Sequence, residues 1–333
     1  MNEENISADC ADRDQLRVEA ADSSRRGIWV KLLLYPSHTL PTAAAPVVVA
    51  AGLAVHDGVF APVPLVIGFL ASWLIHLAGI FTDNYQLLAN HPDLPEHPEL
   101  LAALKKGTLT LPALKWATIA CLVLAALTGP YLVRAVGLPA IVLGIVGTVA
   151  SLGYSVGRYS FTRLGIADGV FFVMFGVVAV VGAYYAQAVA SHSAPMSWLL
   201  VPQALPPRAF VVGLPVGALV TNVLLIDDMR DRTFDAAKGW RTRPVVHGLS
   251  WTRIEFVTLI LFAYVAPLWF CLGLGFSPWV LLTLLTLPEA IAITHGIRTT
   301  DRFEDLFPMT PRAARMSLDY SVLLAIGIAV FTP

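Results

Sequence analysis

Charge is scarce in this chain. Of 333 residues only 14% are Asp, Glu, Lys or Arg, while 56% are hydrophobic. That balance excludes an ordinary soluble domain. The net charge is −1 and no basic nucleic-acid module is present, so nucleic acid is not among the expected partners. Cysteine is nearly absent as well. The three present, Cys10, Cys121 and Cys271, are far apart, and two lie in apolar runs. They read as packing thiols and not as a disulfide or metal set. The first 27 residues lack any apolar core, which excludes a secretory signal peptide. Residues 1–27 read as a disordered cytoplasmic arm ahead of a membrane domain over 28–333.

What the chain has in abundance is long apolar runs. Segments able to span a bilayer fall at about 32–55, 60–88, 110–136, 138–156, 165–189, 208–229, 251–274, 277–297 and 314–332. The expected fold is all-α: a polytopic membrane protein of about nine transmembrane helices, with the lipid bilayer as solvent. Gly129-Pro130 is expected to bend the third helix or end it early. Lys and Arg alternate with the connections. They crowd the N-terminal border and the even-numbered links, including Lys105, Arg158, Arg241 and Arg298, and almost vanish from the odd-numbered ones. Positive residues favour the inside, so the N-terminus is placed in the cytoplasm and the C-terminus outside, as in a cytoplasmic-membrane protein.

The densest chemistry lies at the end of the sixth segment. Asp227, Asp231 and Asp235 recur at every fourth position. At about 100° per residue they share one face of a helix. Like charges on one face repel, and charge at a membrane boundary is costly, so the stripe must meet water or a cation. Arg230, Arg232, Lys238, Arg241 and Arg243 stand among and after them. Carboxylates beside a basic cluster suit a divalent metal bridging to a phosphorylated ligand. A solvated helix end accounts for the same residues without function.

Two further groups are polar inside apolar runs. On the second segment His76, Asp83 and Asn90 recur every seventh residue, flanked by Thr82 and Gln86. So many polar groups on one face are expected to line a cavity. The link after it, His91 to Glu99, is rich in proline and acid and reads as a lid or an exposed loop. Tyr154 and Arg158 share a face at the end of the fourth segment, where a tyrosine is commonly an interfacial anchor. Asp168 opens the fifth as either a helix cap or a general base.

Three stretches carry a resemblance. The first is Tyr35-Pro-Ser-His-Thr-Leu-Pro41 with Ala45-Pro46-Val47. The second runs Arg230-Asp231 to Asp235, Gly239 and Arg241-Thr242. The third spans Phe171 to Gly176 with Gly182, Tyr184 and Tyr185. Together they resemble the UbiA superfamily of intramembrane prenyltransferases, most closely its dihydroxynaphthoate branch. The resemblance implies nine helices around a central cavity, Mg²⁺ as cofactor, and two partners: a prenyl diphosphate and a small aromatic acceptor. It implies Asp83, Asp227, Asp231 and Asp235 as metal ligands. Arg158, Lys238, Arg241, Arg230, Gln86, Asn90 and His38 would contact substrate, with Tyr154 steadying a carbocation and Asp168 or His38 orienting the acceptor.

The chain also departs from that pattern. The later aspartates of the family's first acidic motif are Gln86 and Asn90 here, and amides are weaker ligands for a hard cation. Ahead of Arg230-Asp231 the branch usually has amides, where this chain has Asp227-Asp228. Acid has moved from one motif to the other. Three activities remain open on the sequence: prenyl transfer to an acceptor, cyclisation of the prenyl chain by the same ionisation, or isoprenoid binding without catalysis.

Overall fold

The computed structural model describes residues 39–91, 98–191 and 201–330, together with Gly27 and Trp29. Among these residues every regular element is a helix. In chain order they are α1 (Thr39–His56), α2 (Pro62–Asn90), α3 (Pro98–Lys105), α4 (Leu111–Val136), α5 (Pro139–Gly153) and α6 (Phe161–Leu164). The fifth segment is α7 (Ala167–Val173), a π turn (Met174–Val178) and α8 (Ala179–Ser191). There follow α9 (Leu214–Lys238), α10 (Arg243–Leu274), a 3₁₀ stretch (Pro278–Thr286), α11 (Leu287–Thr299), α12 (Phe303–Leu306) and α13 (Met309–Ala329).

Proline and glycine punctuate these helices. Proline stands in the first turn of α2, α4, α5, α9, α10 and α11, where its missing N–H costs no hydrogen bond. Thr110 caps α4 by accepting from the Ala113 N–H at 3.3 Å. Gly239 and Gly275 close α9 and α10 with left-handed φ values of 73° and 74°. Pro130 neither ends α4 nor shortens it; the helix runs on to Val136, so early termination is not observed. A proline's lost bond is local, and the apolar residues on both sides still favour helix.

Among the described residues seven helical spans are long and apolar enough to cross a membrane. Each of the nine apolar segments corresponds to a helical element, but two fall short of that standard. The α5 helix has 15 residues, about 22 Å at 1.5 Å per residue, against a hydrocarbon core of about 30 Å. The α13 helix is 21 residues long but carries Arg312, Arg315 and Asp319 in its first half.

The axial element is α9. In the span that contains α9, Pro207–Lys238, 83% of the most apolar window is buried, against 17% for Pro62–Asn90 and Leu111–Val136, which face outward. α9 packs on α10, α13 and the fifth span. Its close approach to the fifth span depends on glycine: a Cβ on Gly217 would lie 2.7 Å from Gly176 Cα and 2.7 Å from the Phe172 carbonyl oxygen. Gly176 sits in the π turn, so the bulge and the small residues bring two backbones together. That contact holds the first turns of α9 against the fifth segment, and the acids from Asp227 to Asp235 lie about 15–27 Å further along the helix.

Candidate active site

One cavity of about 410 Å³ lies between α2, α5, the fifth span and α9. Along α5 its wall runs from Ala140 to Tyr154, roughly 20 Å by helical rise. Most of the wall is apolar, including Leu65, Phe69, Leu132 and Leu143. One end is acidic: Asp83 from α2 faces Asp227, Asp228, Asp231 and Asp235 from α9. The α9 contribution follows the helical pattern Val220, Val223, Leu224, Asp227, Asp228, Asp231, Asp235, an apolar stripe that turns acidic over its last turns.

Most of these acids are held by neighbours. Arg230 pairs with Asp227 at 2.5 Å and grips Asp231 through both Nε (2.8 Å) and Nη2 (2.5 Å). Its guanidinium also lies 5.4 Å from the Phe307 ring centroid. Asp227 accepts a further hydrogen bond from Thr310 Oγ1 at 2.8 Å. Asp235 pairs with Lys238 at 3.1 Å and accepts from Thr242 Oγ1 at 3.1 Å. Lys238 is buried, with Nζ 3.7 Å from the Trp240 ring centroid. Asp228 differs: it is buried, and its Oδ2 has no hydrogen-bond partner.

A run of aromatic rings descends from the acids into the apolar part. Trp240 and Tyr154 lie 6.0 Å apart between centroids, Tyr154 and Phe171 5.8 Å, Phe171 and Phe175 5.3 Å, and Phe175 and His76 5.8 Å. All five line the cavity. Ring faces are electron-rich and attract a cation, so the chamber joins an acidic end to a cation-tolerant wall.

Of the residues singled out in the sequence, the structure brings Asp83, Tyr154, Asp227, Arg230, Asp231 and Asp235 to one cavity, with Lys238 directly behind Asp235. His76 joins them, but Gln86 and Asn90 do not line the cavity; Asn90 donates to Gln86 Oε1 at 2.7 Å. Arg158 is exposed, stacked 4.6 Å from the Tyr159 ring centroid, and Arg241 is exposed too. The Arg241 backbone N–H donates to the Thr162 carbonyl at 2.8 Å, and Arg241 is absent from the lining. Asp168 neither caps α7, whose N-cap is Ile166, nor lines the cavity. It is buried and paired with Arg243 at 3.1 Å, and Arg243 also reaches Glu255 at 3.4 Å. His38 and most of the link after α2 lie outside the described residues. Asp228 was noted beside Asp227 without a ligand role, Phe171 and Phe175 entered only through the resemblance, and Trp240 was not singled out. In hindsight the doubled acid Asp227-Asp228 is the readable signal, because a helix buried all round must bury both neighbours.

The donor set fits a hard divalent cation. Carboxylate oxygens converge on one chamber, and Asp228 keeps an oxygen unmet. Among the described residues no three acids, histidines or cysteines form a ready cage. Mg²⁺ does not require one, since it commonly takes one or two carboxylates and completes its shell with phosphate oxygens and water.

A model of the UbiA prenyltransferase family matches residues 43–305. The chain is 27% identical over 313 residues to a 1,4-dihydroxy-2-naphthoate octaprenyltransferase of Escherichia coli (strain K12), covering 92% of this chain and 96% of that one. A protein of the same description from Mycobacterium tuberculosis (strain ATCC 25618 / H37Rv) is 27% identical over 300 residues, covering 87% of this chain and 94% of the other. In fold the chain is similar to the apo structure of a UbiA homolog from Aeropyrum pernix K1. The TM-score there is 0.62 at 16% identity, over 88% of this chain and 96% of that one.

Proposed function

The chain belongs to the UbiA prenyltransferase family, and from that premise we propose that it transfers a polyprenyl group from its diphosphate to a small aromatic acceptor of the dihydroxynaphthoate kind, releasing diphosphate. The carrying observation is the single chamber with acids at one end and apolar walls beyond. The asymmetry of Lys and Arg along the sequence supports an acidic end facing the cytoplasm, in the cytoplasmic membrane.

Asp83, Asp227, Asp231 and Asp235 would hold Mg²⁺, which when bound neutralises the diphosphate and makes it a better leaving group. Arg230 and Lys238 add fixed positive charge at the same end. As the allylic C–O bond breaks, the bonding pair leaves with the diphosphate and positive charge develops on the prenyl carbon. The rings of Tyr154, Phe171 and Phe175 stand along that wall to stabilise it. The apolar chamber holds the isoprenoid chain and excludes water, which would otherwise capture the cation. Attack by an electron-rich acceptor carbon and loss of its proton complete the transfer.

The test is product formation by purified protein from labelled farnesyl, geranylgeranyl and octaprenyl diphosphates, with and without 1,4-dihydroxy-2-naphthoate. A prenylated naphthoquinol only when acceptor is present supports this reading. A cyclic hydrocarbon or alcohol formed without acceptor replaces it with cyclisation.

A further inference from the structure

Each acid on α9 facing the chamber has a counterpart except one. Asp227 has Arg230 and Thr310, Asp231 has Arg230, and Asp235 has Lys238 and Thr242. Asp228 is 4% exposed, its Oδ2 has no hydrogen-bond partner, and it lines the same cavity. A carboxylate shut away from water is strongly unfavourable unless something pairs with it. A folded chain that keeps one in a chamber must either hold it protonated or offer it to an arriving cation.

The opposite wall gives the second half of the argument. Asp83 is its acid, while Gln86 and Asn90 are engaged with each other and lie outside the lining. The α2 wall therefore presents less carboxylate than its motif would allow, and the α9 wall presents an additional one. We propose that Asp228 is a direct oxygen ligand of the divalent cation that accompanies the diphosphate, supplying the capacity that Gln86 and Asn90 do not. The proposal rests on the prenyl-diphosphate reading above. It adds to Asp227 and Asp231, which Arg230 already holds, a carboxylate that no guanidinium occupies.

The experiment uses full-length protein in detergent, with Mn²⁺ as the probe and inorganic pyrophosphate as co-ligand, read by electron paramagnetic resonance. Asp228→Asn keeps size and shape and is expected to weaken Mn²⁺ binding at least about tenfold. Asp228→Glu restores a carboxylate and is expected to recover most of that loss. The double variant Gln86→Ala/Asn90→Ala is expected to stay within about twofold of the parent. Thermal unfolding without metal is recorded alongside. Asp228→Asn should unfold no lower than the parent, because it removes an unpaired buried acid, whereas a purely structural Asp228 would show the reverse. Unchanged Mn²⁺ affinity in Asp228→Asn, or an equal loss in the Gln86/Asn90 variant, overturns the proposal while leaving prenyl transfer intact. Failure of the parent protein to bind Mn²⁺ with pyrophosphate overturns both.

Discussion

Thr310 Oγ1 donates a 2.8 Å hydrogen bond to Asp227 Oδ1, joining α13 to the acidic end of α9. Thr310 is buried, so this bond is shielded from competing water. With Phe307 over Arg230, it ties the C-terminal part of the chain to the second acidic motif. Thr310→Ala is expected to lower turnover about tenfold to a hundredfold, the scale of one hydrogen bond to a charged group. Thr310→Ser keeps the donor and should retain most activity. Equal loss in both variants would show that the methyl group, not the hydrogen bond, matters.

The two amides of the first motif are expected to be dispensable. Gln86 and Asn90 bond to each other outside the cavity lining, whereas Asp83 lines it. Gln86→Ala and Asn90→Ala should change kcat/KM by no more than about threefold, and Asp83→Asn by about a hundredfold or more. Steady-state kinetics with one prenyl diphosphate measures all three.

Gly217 is expected to resist any side chain. A Cβ there meets backbone at 2.7 Å, and backbone cannot rotate aside as a flexible side chain can. Gly217→Val should destabilise the protein by about 3 kcal/mol or prevent folding. Thermal unfolding in detergent reads the first outcome, and loss of monodisperse protein the second.

At the opposite end of α9 a separate polar knot holds the helices. The buried carboxylate of Asp57 accepts from Tyr184 Oη at 2.6 Å and Arg208 Nη2 at 2.7 Å, and meets His56 Nδ1 at 2.7 Å. Arg208 precedes α9 and Asp235 is near its end, so this knot is far from the chemistry. Asp57→Ala should lower stability by about 1–3 kcal/mol, since Tyr184 and Arg208 lose their acceptor. The KM for prenyl diphosphate should stay unchanged in the folded fraction.

The membrane architecture was legible because hydrophobic length is a one-dimensional property. Each apolar run corresponds to a helical element, and the four-residue spacing of Asp227, Asp231 and Asp235 did place them on one face of α9. What depended on partners distant in the chain was not legible. Asp168 suggested a cap or a base, but its neighbour is Arg243 of another helix. Arg158 and Arg241 follow the right segments and yet are exposed, because a helix end does not fix where a long side chain settles. Gln86 and Asn90 share a period with Asp83 but turn to each other. The short α5 and the charged first half of α13 show that an apolar run in sequence need not become a full-length span.

The central claim is that the acids of α9 assist departure of diphosphate from a prenyl substrate. It is tested most directly by Mg²⁺-dependent pyrophosphate release from a labelled prenyl diphosphate and acceptor, comparing the parent protein with Asp231→Asn and Asp235→Asn. The account predicts release by the parent that stops on chelation and returns with Mg²⁺, and a fall of about a hundredfold or more in both variants. Parent-level release by either folded variant would contradict it.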